Sequence, residues 1–416
     1  MIMNAFQKDN PFYKTLNGYS DKSWKIILDR ALGLCYGSAI GDSIGSFFPV
    51  SEGVTNKLEE AMSMKTPGMR YKRAIPGQGT DDTETAMCIA RGLLRMIARN
   101  ADKDKQHHVT MKFVAEEYNT WWQTDPLDQG STFFAHAVRD KGLNKMRENA
   151  YLKNEEIKEE HGEPKGVLTN GSLIRCMPLI VYGIRLQPEQ TFNLMRLDSS
   201  LTHASYTVYY TVTVYALAAQ YLIRYPQQGE RNKNAIKFAM EFLSAQKQER
   251  KRSKTHNPAI EEVLRWIERA KSAADDKSTY APQKLDEFRE FHSHIKISFQ
   301  RAFYHLWKGD SYDVAIKETL IFGGNADSNC CVVGGLIGAY HGMKPLVEKR
   351  EIIDNWPGNS DNHENTDQEK RDPYQAKWYR QYVPLLLNYA LPPKGYHLSD
   401  KTATYDPKSK EEEFVL

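Results

Sequence analysis

The sequence predicts an all-α fold, and two features of the residue pattern support that prediction. Apolar residues recur at mixed three- and four-residue spacing in ten segments, which is the period of a helix with one buried face. Strict alternation of apolar and polar residues, the pattern of a half-buried strand, is scarce. The ten predicted helices span 23–39, 82–98, 109–123, 131–141, 172–182, 205–223, 234–244, 260–274, 295–308 and 312–321.

Length and composition favour one large domain. A chain of 416 residues with 40% hydrophobic residues can bury one large core or two moderate ones. We expect a single domain over 1–416, with the motifs in a core of about 24–345 and a C-terminal extension over 346–416. The stretches 145–165 and 246–254 are rich in charge and are expected to be solvated surface insertions, and 357–375 is expected to be a loop.

The charge balance excludes a strong electrostatic partner. Lysine and arginine number 56 against 53 aspartates and glutamates, so the net charge of +3 predicts no nucleic-acid or membrane binding. The five cysteines are an odd number with no framework spacing, which indicates reduced, buried thiols. With no apolar run of 18 residues and no signal-type stretch after the first residues, we expect a cytoplasmic protein, and a monomer.

Two short acidic motifs, at residues 79–83 and 323–329, lie far apart in the chain, and each precedes a run of apolar residues at helical spacing. Both offer only carboxylate, hydroxyl and amide oxygens, which suit Mg²⁺, Mn²⁺ or Ca²⁺ better than zinc. At neighbouring helix starts they would form a two-metal site, with two Mg²⁺ or Mn²⁺ as the cofactors. The candidate metal ligands are Thr80, Asp81, Asp82, Asn325, Asp327 and Ser328.

Helix capping is the alternative interpretation of each motif, because Thr, Ser, Asp and Asn are the ordinary N-cap residues. Capping needs one side chain, however, whereas each motif contains three or more oxygen-bearing side chains. The pair Gly323-Gly324 also permits a backbone that turns several oxygens toward one point.

Three glycines at four-residue spacing, Gly37, Gly41 and Gly45, predict close packing between helices. No Gly-Lys-Ser/Thr ending follows them, so a phosphate-binding P-loop is not indicated. We expect a helix to end near Gly41. Asp42 at that terminus would either order the metal site from behind or only cap a helix.

A turn at Asn170-Gly171-Ser172 precedes the apolar pair Leu173-Ile174. Backbone N–H groups at such a turn form a natural seat for a diphosphate, although a plain helix cap would show the same residues.

These motifs, taken in order with Gly37 to Gly45 and Thr202-His203, resemble the ADP-ribosylglycohydrolase family, which includes the ADP-ribosylarginine hydrolases and the bacterial dinitrogenase reductase-activating glycohydrolase. The resemblance runs from about residue 31 to residue 342. It implies a single large orthogonal helical bundle with a binuclear Mg²⁺ or Mn²⁺ site at helix ends. It also implies hydrolysis of the bond between ADP-ribose and an acceptor, so the partner would be an ADP-ribosylated protein or a small ADP-ribose conjugate.

The same resemblance assigns roles to individual residues. Asn170, Gly171, Ser172 and Gly323 would contact the substrate, Arg175 would support the phosphate loop, and His203 would be a pocket residue. The segment around Asp128-Gln129-Gly130 resembles a family segment whose acid faces the ribose. Asp128 is therefore the acid/base candidate beside the catalytic Asp82 and Asp327, and Gly130 is a substrate-binding candidate.

Departures from the family pattern bear on the acceptor. Asn325 stands where the family has an aspartate, which removes one negative charge from a metal subsite. Pro49 stands where ADP-ribosylserine hydrolases carry a glutamate, and the nearest acid is Glu52. We therefore expect hydrolysis of N-linked ADP-ribosyl-arginine or another guanidine. A non-catalytic ADP-ribose-binding relative, a hydrolase of O-linked ADP-ribose and a generic Mg²⁺ phosphoesterase are the alternatives.

Overall fold

A computed structural model of the protein describes residues 21–49, 57–65, 74–100, 108–129, 137–138, 142–161, 167–225, 229–275, 292–355, 371–390 and 414–415. Their architecture is helical, which confirms the predicted all-α fold. The α-helices in chain order are α1 Asp21–Gly45, α2 Leu58–Ser63, α3 Asp81–Asn100, α4 Lys112–Trp122, α5 Leu143–His161, α6 Gly171–Ile174, α7 Met177–Tyr182, α8 Pro188–Ser199, α9 Tyr206–Arg224, α10 Arg231–Arg252, α11 Pro258–Asp275, α12 Ile295–Lys308, α13 Tyr312–Phe322, α14 Ala326–His341, α15 Val347–Asp354 and α16 Tyr379–Asn388. Short 3-10 turns occupy Lys344–Leu346, Asp372–Tyr374 and Ala376–Trp378.

Strand structure within the described ranges is small. His108–Val109 pairs antiparallel with Phe414–Val415, with His108 opposite Val415, and Thr169 forms a single bridge with His294. Of the helices described, none combines the length and the apolar character needed to cross a membrane.

The predicted helix 172–182 was wrong as one element, because the chain forms two short helices, α6 and α7. Pro178 has no backbone N–H to donate to the carbonyl of Ile174, so the first helix cannot continue through it. The break leaves Arg175 between the two helices, where its side chain is fully buried. Most of the predicted helix 131–141 lies outside the described residues.

The two charge-rich stretches belong to helices. Most of the first stretch lies in α5, where Lys145–Glu148 and Lys153–Glu156 form ion pairs on the helix surface. The second continues α10 to Arg252, well beyond the predicted end at 244, and most of its side chains are exposed. Lys and Arg have good helix propensity, which explains why the helix runs on without an apolar face.

Helices α1 and α14 form the centre of the core and pack with their backbones in direct contact. A Cβ atom on Gly41 would overlap the carbonyl oxygen of Cys330, and one on Gly37 would overlap that of Gly334. The prediction of close helix packing is therefore confirmed. The predicted helix end near Gly41 was wrong, because α1 continues to Gly45. The packing against α14 outweighs the free energy that the low helix propensity of glycine costs.

The C-terminal segment 371–390 is part of the same core. Helix α16 packs against α1 and α3, and the ring of Tyr379 meets that of Tyr36 edge-on with 5.9 Å between centroids. Arg371, Gln375 and Tyr379 are all buried. This segment therefore lies against the start of α3, where the first acidic motif sits.

Candidate active site

The two acidic motifs meet at the starts of α3 and α14. The Ser328 hydroxyl donates a hydrogen bond of 3.3 Å to Asp82 Oδ1, which joins residues 246 positions apart. Ser328 and Asp327 follow the first residue of α14, and Asp81 and Asp82 open α3. The structure thus brings the two acidic motifs into contact.

Asp42, in the last turn of α1, holds the start of α3. Its Oδ2 accepts hydrogen bonds from the Thr80 and Thr83 N–H groups at 2.8 and 3.1 Å and from the Thr83 hydroxyl at 2.5 Å, while Oδ1 accepts from the Thr80 hydroxyl at 2.8 Å. Burial raises the pKa of Asp42 to about 6, and the negative charge of Asp327 adds to the rise, against the effect of the donors. Asp42 therefore both caps α3 and orders the first acidic motif from behind. The sequence indicates these two roles as alternatives.

Asp82 is the most informative side chain of the cluster. It is 1% exposed, and within the described part of the chain its Oδ2 has no hydrogen-bond partner. Burial raises its pKa well above the usual range, and the carboxylates of Asp81, Asp42, Asp327 and Asp128 raise it further. A buried group of like charges with an unsatisfied oxygen is stabilised by a bound cation, and an all-oxygen donor set fits Mg²⁺ or Mn²⁺.

The turn before α14 takes its shape from two glycines and two polar side chains. Gly323 and Gly324 have φ angles of 70° and 81°, in the left-handed region that favours glycine. The Gly323 carbonyl accepts hydrogen bonds from Arg301 Nη1 at 2.8 Å and from Asn329 Nδ2 at 3.3 Å. Sequence reasoning missed Arg301, because it lies on α12 with no motif around it. Its guanidinium fixes the turn through the Gly323 carbonyl.

Asn325 is the N-cap residue of α14, but its side chain accepts no capping hydrogen bond. Its Nδ2 donates instead to the Ser328 hydroxyl at 2.9 Å, which itself donates to Asp82. Thr80, by contrast, weakly caps α3 by accepting from the Asp82 N–H at 3.4 Å. A pure capping interpretation of the second motif is therefore not supported.

The Asn170–Ser172 turn is held by a buried ion pair. Arg175 Nε lies 2.9 Å from Asp198 Oδ2, and its Nη1 donates to the Gly171 carbonyl at 3.1 Å. Asp198 also accepts a 2.8 Å hydrogen bond from the Tyr118 hydroxyl. Arg175 therefore supports the turn by direct contact, as the family resemblance implied, and the Asn170 amide nitrogen has no partner among the residues that the structure describes.

His203 lies behind that turn rather than open to a pocket. It is fully buried, its Nε2 lies 2.7 Å from the Thr169 hydroxyl, and its Nδ1 lies 2.7 Å from that of Thr202 and 3.0 Å from that of Ser172. Burial lowers its pKa to about 3, and the charge of Arg175 adds to that, so the ring is neutral. With both nitrogens engaged, His203 positions the turn, and this geometry does not support the expected direct contact with substrate.

Asp128 is half-buried on the segment that follows α4, and its charge contributes to the raised pKa of Asp82. It therefore belongs to the same electrostatic cluster. Gly130 and Glu52 lie outside the described residues, whereas Pro49 is described and exposed.

Sequence reasoning also missed Glu84, two residues after Asp82. Its Oε2 accepts from the Trp121 indole N–H at 2.6 Å and from Arg371 Nη1 at 2.7 Å, and its Oε1 accepts from Gln375 Nε2 at 3.4 Å. Burial raises the pKa of Glu84 to about 7 against the opposing charge of Arg371. Arg371 lies 287 residues from Glu84, so no local pattern could have paired them.

A second polar group, His305, Asp310 and Glu318, brings three possible ligand atoms within 4.8 Å of one another. The Lys308 ammonium lies 3.2 Å from Asp310 and 3.4 Å from Glu318 and already supplies a positive charge there. We interpret this group as an ion-pair network of the fold.

Comparisons with known proteins identify the family and the fold. The family described as ADP-ribosylglycohydrolase matches residues 23–357. A protein of Acanthamoeba polyphaga mimivirus whose name contains the words ADP-ribosyl glycohydrolase is 26% identical over 330 residues, covering 76% of this chain and 89% of its own. Human ADP-ribosylhydrolase ARH3 is 24% identical over 357 residues, covering 82% of this chain and 91% of its own.

A solved structure described as an ADP-ribosylglycohydrolase-related protein complex has a TM-score of 0.51 at 18% sequence identity, and the match covers 88% of this chain and 100% of that one. At that identity the likeness concerns the fold alone. The family match, which spans most of the chain and both acidic motifs, shows that this protein belongs to the ADP-ribosylglycohydrolase family.

Proposed function

We propose that the protein hydrolyses the glycosidic bond between ADP-ribose and an N-linked acceptor, ADP-ribosyl-arginine or another guanidine, in a metal-dependent reaction that reverses mono-ADP-ribosylation. Membership of the family supports hydrolysis of ADP-ribose linkages. The observation that carries the metal dependence is the buried Asp82, whose Oδ2 has no partner in the described part of the chain and whose pKa is raised by neighbouring carboxylates.

Two Mg²⁺ or Mn²⁺ ions would be held by six side chains: Thr80, Asp81, Asp82, Asn325, Asp327 and Ser328. When bound, such ions orient the ribose hydroxyls and lower the pKa of a bound water. Asn325 brings an amide in place of a carboxylate, so we expect one of the two subsites to be the weaker.

A carboxylate outside the candidate metal ligands would serve the reaction directly. Breaking the anomeric bond builds positive charge on the ribose, and the attacking water must lose a proton as it adds there. Asp128 is half-buried beside the acidic cluster. We assign to its carboxylate the role of general base, taking the proton of the attacking water.

The Asn170–Ser172 turn would bind the diphosphate. Helix α6 has only four residues, so its dipole contributes little, and recognition would rest on the Asn170 amide and on the backbone N–H groups. Arg175 and His203 would hold the turn in place through the contacts described above.

The proposed acceptor follows from leaving-group chemistry. A serine alkoxide is a poor leaving group that needs an acid beside it, and Pro49 occupies the position where serine-type relatives carry a glutamate. A guanidinium leaving group is already polarised by its own charge.

The proposed location is the cytoplasm. The five cysteines are free and buried, which supports a reducing compartment.

One observation favours a second candidate, a non-catalytic ADP-ribose-binding protein. The Asn325 amide nitrogen donates to the Ser328 hydroxyl. This hydrogen bond engages two of the candidate metal ligands with each other. Assaying release of ADP-ribose from ADP-ribosyl-arginine and ADP-ribosyl-serine, with Mg²⁺ and with EDTA, separates the candidates. Metal-dependent release from arginine supports the proposal. Faster release from serine overturns the choice of acceptor, and binding of ADP-ribose without release from either conjugate supports the non-catalytic candidate.

A further inference from the structure

We infer that Arg371 is a positioning residue that sets the place of Asp128 relative to the acidic cluster, acting through the segment between Trp121 and Asp128. The inference rests on the proposed role of Asp128. Arg371 lies beyond residues 23–357, so the residues matched by the family do not include it.

The contact geometry makes Arg371 a bridge between two parts of the site. Its Nη1 donates to Glu84 Oε2 at 2.7 Å, and its Nη2 donates to the Thr124 carbonyl at 3.1 Å. Glu84 lies one turn into α3, two residues after Asp82, and Thr124 lies four residues before Asp128. One planar guanidinium therefore connects the helix that carries the candidate metal ligands to the segment that carries the candidate base.

The segment is fixed at a second point by the same carboxylate. The Trp121 indole donates to Glu84 Oε2 at 2.6 Å, and the Thr124 N–H and hydroxyl both donate to the Trp121 carbonyl. Past this turn, Asp125 has a φ angle of 52°, a backbone conformation that a non-glycine residue adopts at some cost. Two anchoring points at Trp121 and Thr124 hold the chain on its way to Asp128.

Burial makes this arrangement rigid. Glu84, Arg371 and Gln375 are 1%, 4% and 2% exposed, so solvent does not compete for their hydrogen bonds. A lysine at 371 would keep the charge but not the geometry, because the guanidinium donates to Glu84 and Thr124 from two nitrogens held in one plane, whereas an ammonium is a point donor on a flexible stem. The Arg371→Lys variant therefore releases Thr124 while it keeps Glu84 paired.

The expected effect is on turnover more than on binding. Misplacing a catalytic group by about 1 Å can cost about a hundredfold in rate. For Arg371→Lys we expect kcat to fall by about ten- to a hundredfold and KM to change by less than about threefold. Because Arg371 acts through Asp128, the same substitution in an Asp128→Asn background should lower kcat no further.

The experiment combines this double-mutant cycle with hydrogen exchange of the whole protein. Arg371→Lys should raise amide exchange in residues 123–129 and leave α14 unchanged. The matched control is Arg380→Lys, an exposed arginine on the same segment, which should alter neither readout. A second variant, Arg371→Met, removes the guanidinium altogether and should show the same rise in exchange. If it fails to fold because Glu84 is left unpaired, the double variant Glu84→Gln with Arg371→Met removes both charges and takes its place.

The inference would be overturned if Arg371→Lys lowered kcat by the same factor in the wild-type and Asp128→Asn backgrounds. Unchanged amide exchange in residues 123–129 would overturn it as well. If the wild-type protein releases ADP-ribose from no conjugate, the proposed function fails, and the exchange measurement then decides the positioning role by itself.

Discussion

Replacing Asp82 by asparagine should change stability in opposite directions with and without metal. The wild-type carboxylate is buried among other carboxylates, and in the described structure its Oδ2 has no hydrogen-bond partner. Without metal, either the buried charge or the proton taken up to neutralise it costs folding free energy, and an amide needs neither. Asparagine keeps an oxygen to accept the 3.3 Å hydrogen bond from Ser328.

The magnitude follows from these contacts. An unsatisfied buried polar atom costs about 1 to 3 kcal/mol, and a charged one costs more. The amide nitrogen that replaces Oδ2 retains part of that cost, so we expect Asp82→Asn to raise the free energy of unfolding by about 1 kcal/mol in EDTA. With Mg²⁺ at a hundred times its Kd, the wild type should gain about 2.7 kcal/mol, whereas the variant, which lacks a ligand charge, should gain little.

The assay is urea unfolding at pH 8 in EDTA and in saturating MgCl₂, with Glu241→Gln as a control that removes one exposed charge. Asp82→Asn should be more stable than the wild type in EDTA and less stable than the wild type in MgCl₂. The free energy of unfolding of the control should stay within about 0.5 kcal/mol of the wild type in both conditions. If Asp82→Asn were less stable than the wild type in EDTA, or gained as much from Mg²⁺ as the wild type, the account of Asp82 as a metal ligand with an unsatisfied oxygen would be refuted.

Three further predictions concern other parts of the molecule. Asn325→Asp should restore a ligand charge and lower the Mg²⁺ concentration needed for half-maximal stabilisation, which equal affinities in calorimetry would contradict. His203→Gln should remove a pH dependence: a lowered folded pKa of about 3 means that only the unfolded chain takes up the proton, so stability falls below pH 6.5 in the wild type. The wild type should then lose about 1.4 kcal/mol relative to the variant between pH 7.5 and 5.5, measured by urea unfolding, and parallel curves would contradict this. Gly41→Ala should destabilise by at least about 2 kcal/mol, because its Cβ would overlap the Cys330 carbonyl, while Gly229→Ala, which meets nothing within 4 Å, should be neutral; equal midpoints would contradict the packing.

Local signals in the sequence predicted those parts of the molecule that depend on neighbouring residues. The starts of α3 and α14 follow from helical periodicity after an acidic motif, and the close packing of α1 follows from the four-residue spacing of Gly37 and Gly41. That spacing did not identify α14 as the partner helix. The split at Pro178 could also have been predicted, because proline lacks the N–H that a continuous helix needs.

Contacts between distant residues could not be predicted from such patterns. Arg371 reaches Glu84 across 287 positions, and Arg301 reaches the Gly323 carbonyl from another helix. A sequence pattern also cannot show which way a buried ring faces. His203 was assigned to the pocket by resemblance, whereas in the structure it lies behind the Asn170–Ser172 turn with both nitrogens bonded to hydroxyls.

The most direct test of the central claim is release of ADP-ribose from ADP-ribosyl-arginine by the wild type and by Asp327→Ala, with Mg²⁺ and with EDTA. The account predicts release by the wild type only with Mg²⁺, and no release by Asp327→Ala although its helical circular dichroism is unchanged. Equal release in EDTA, or full activity of a folded Asp327→Ala protein, would contradict the claim that these carboxylates form a metal-dependent hydrolytic site.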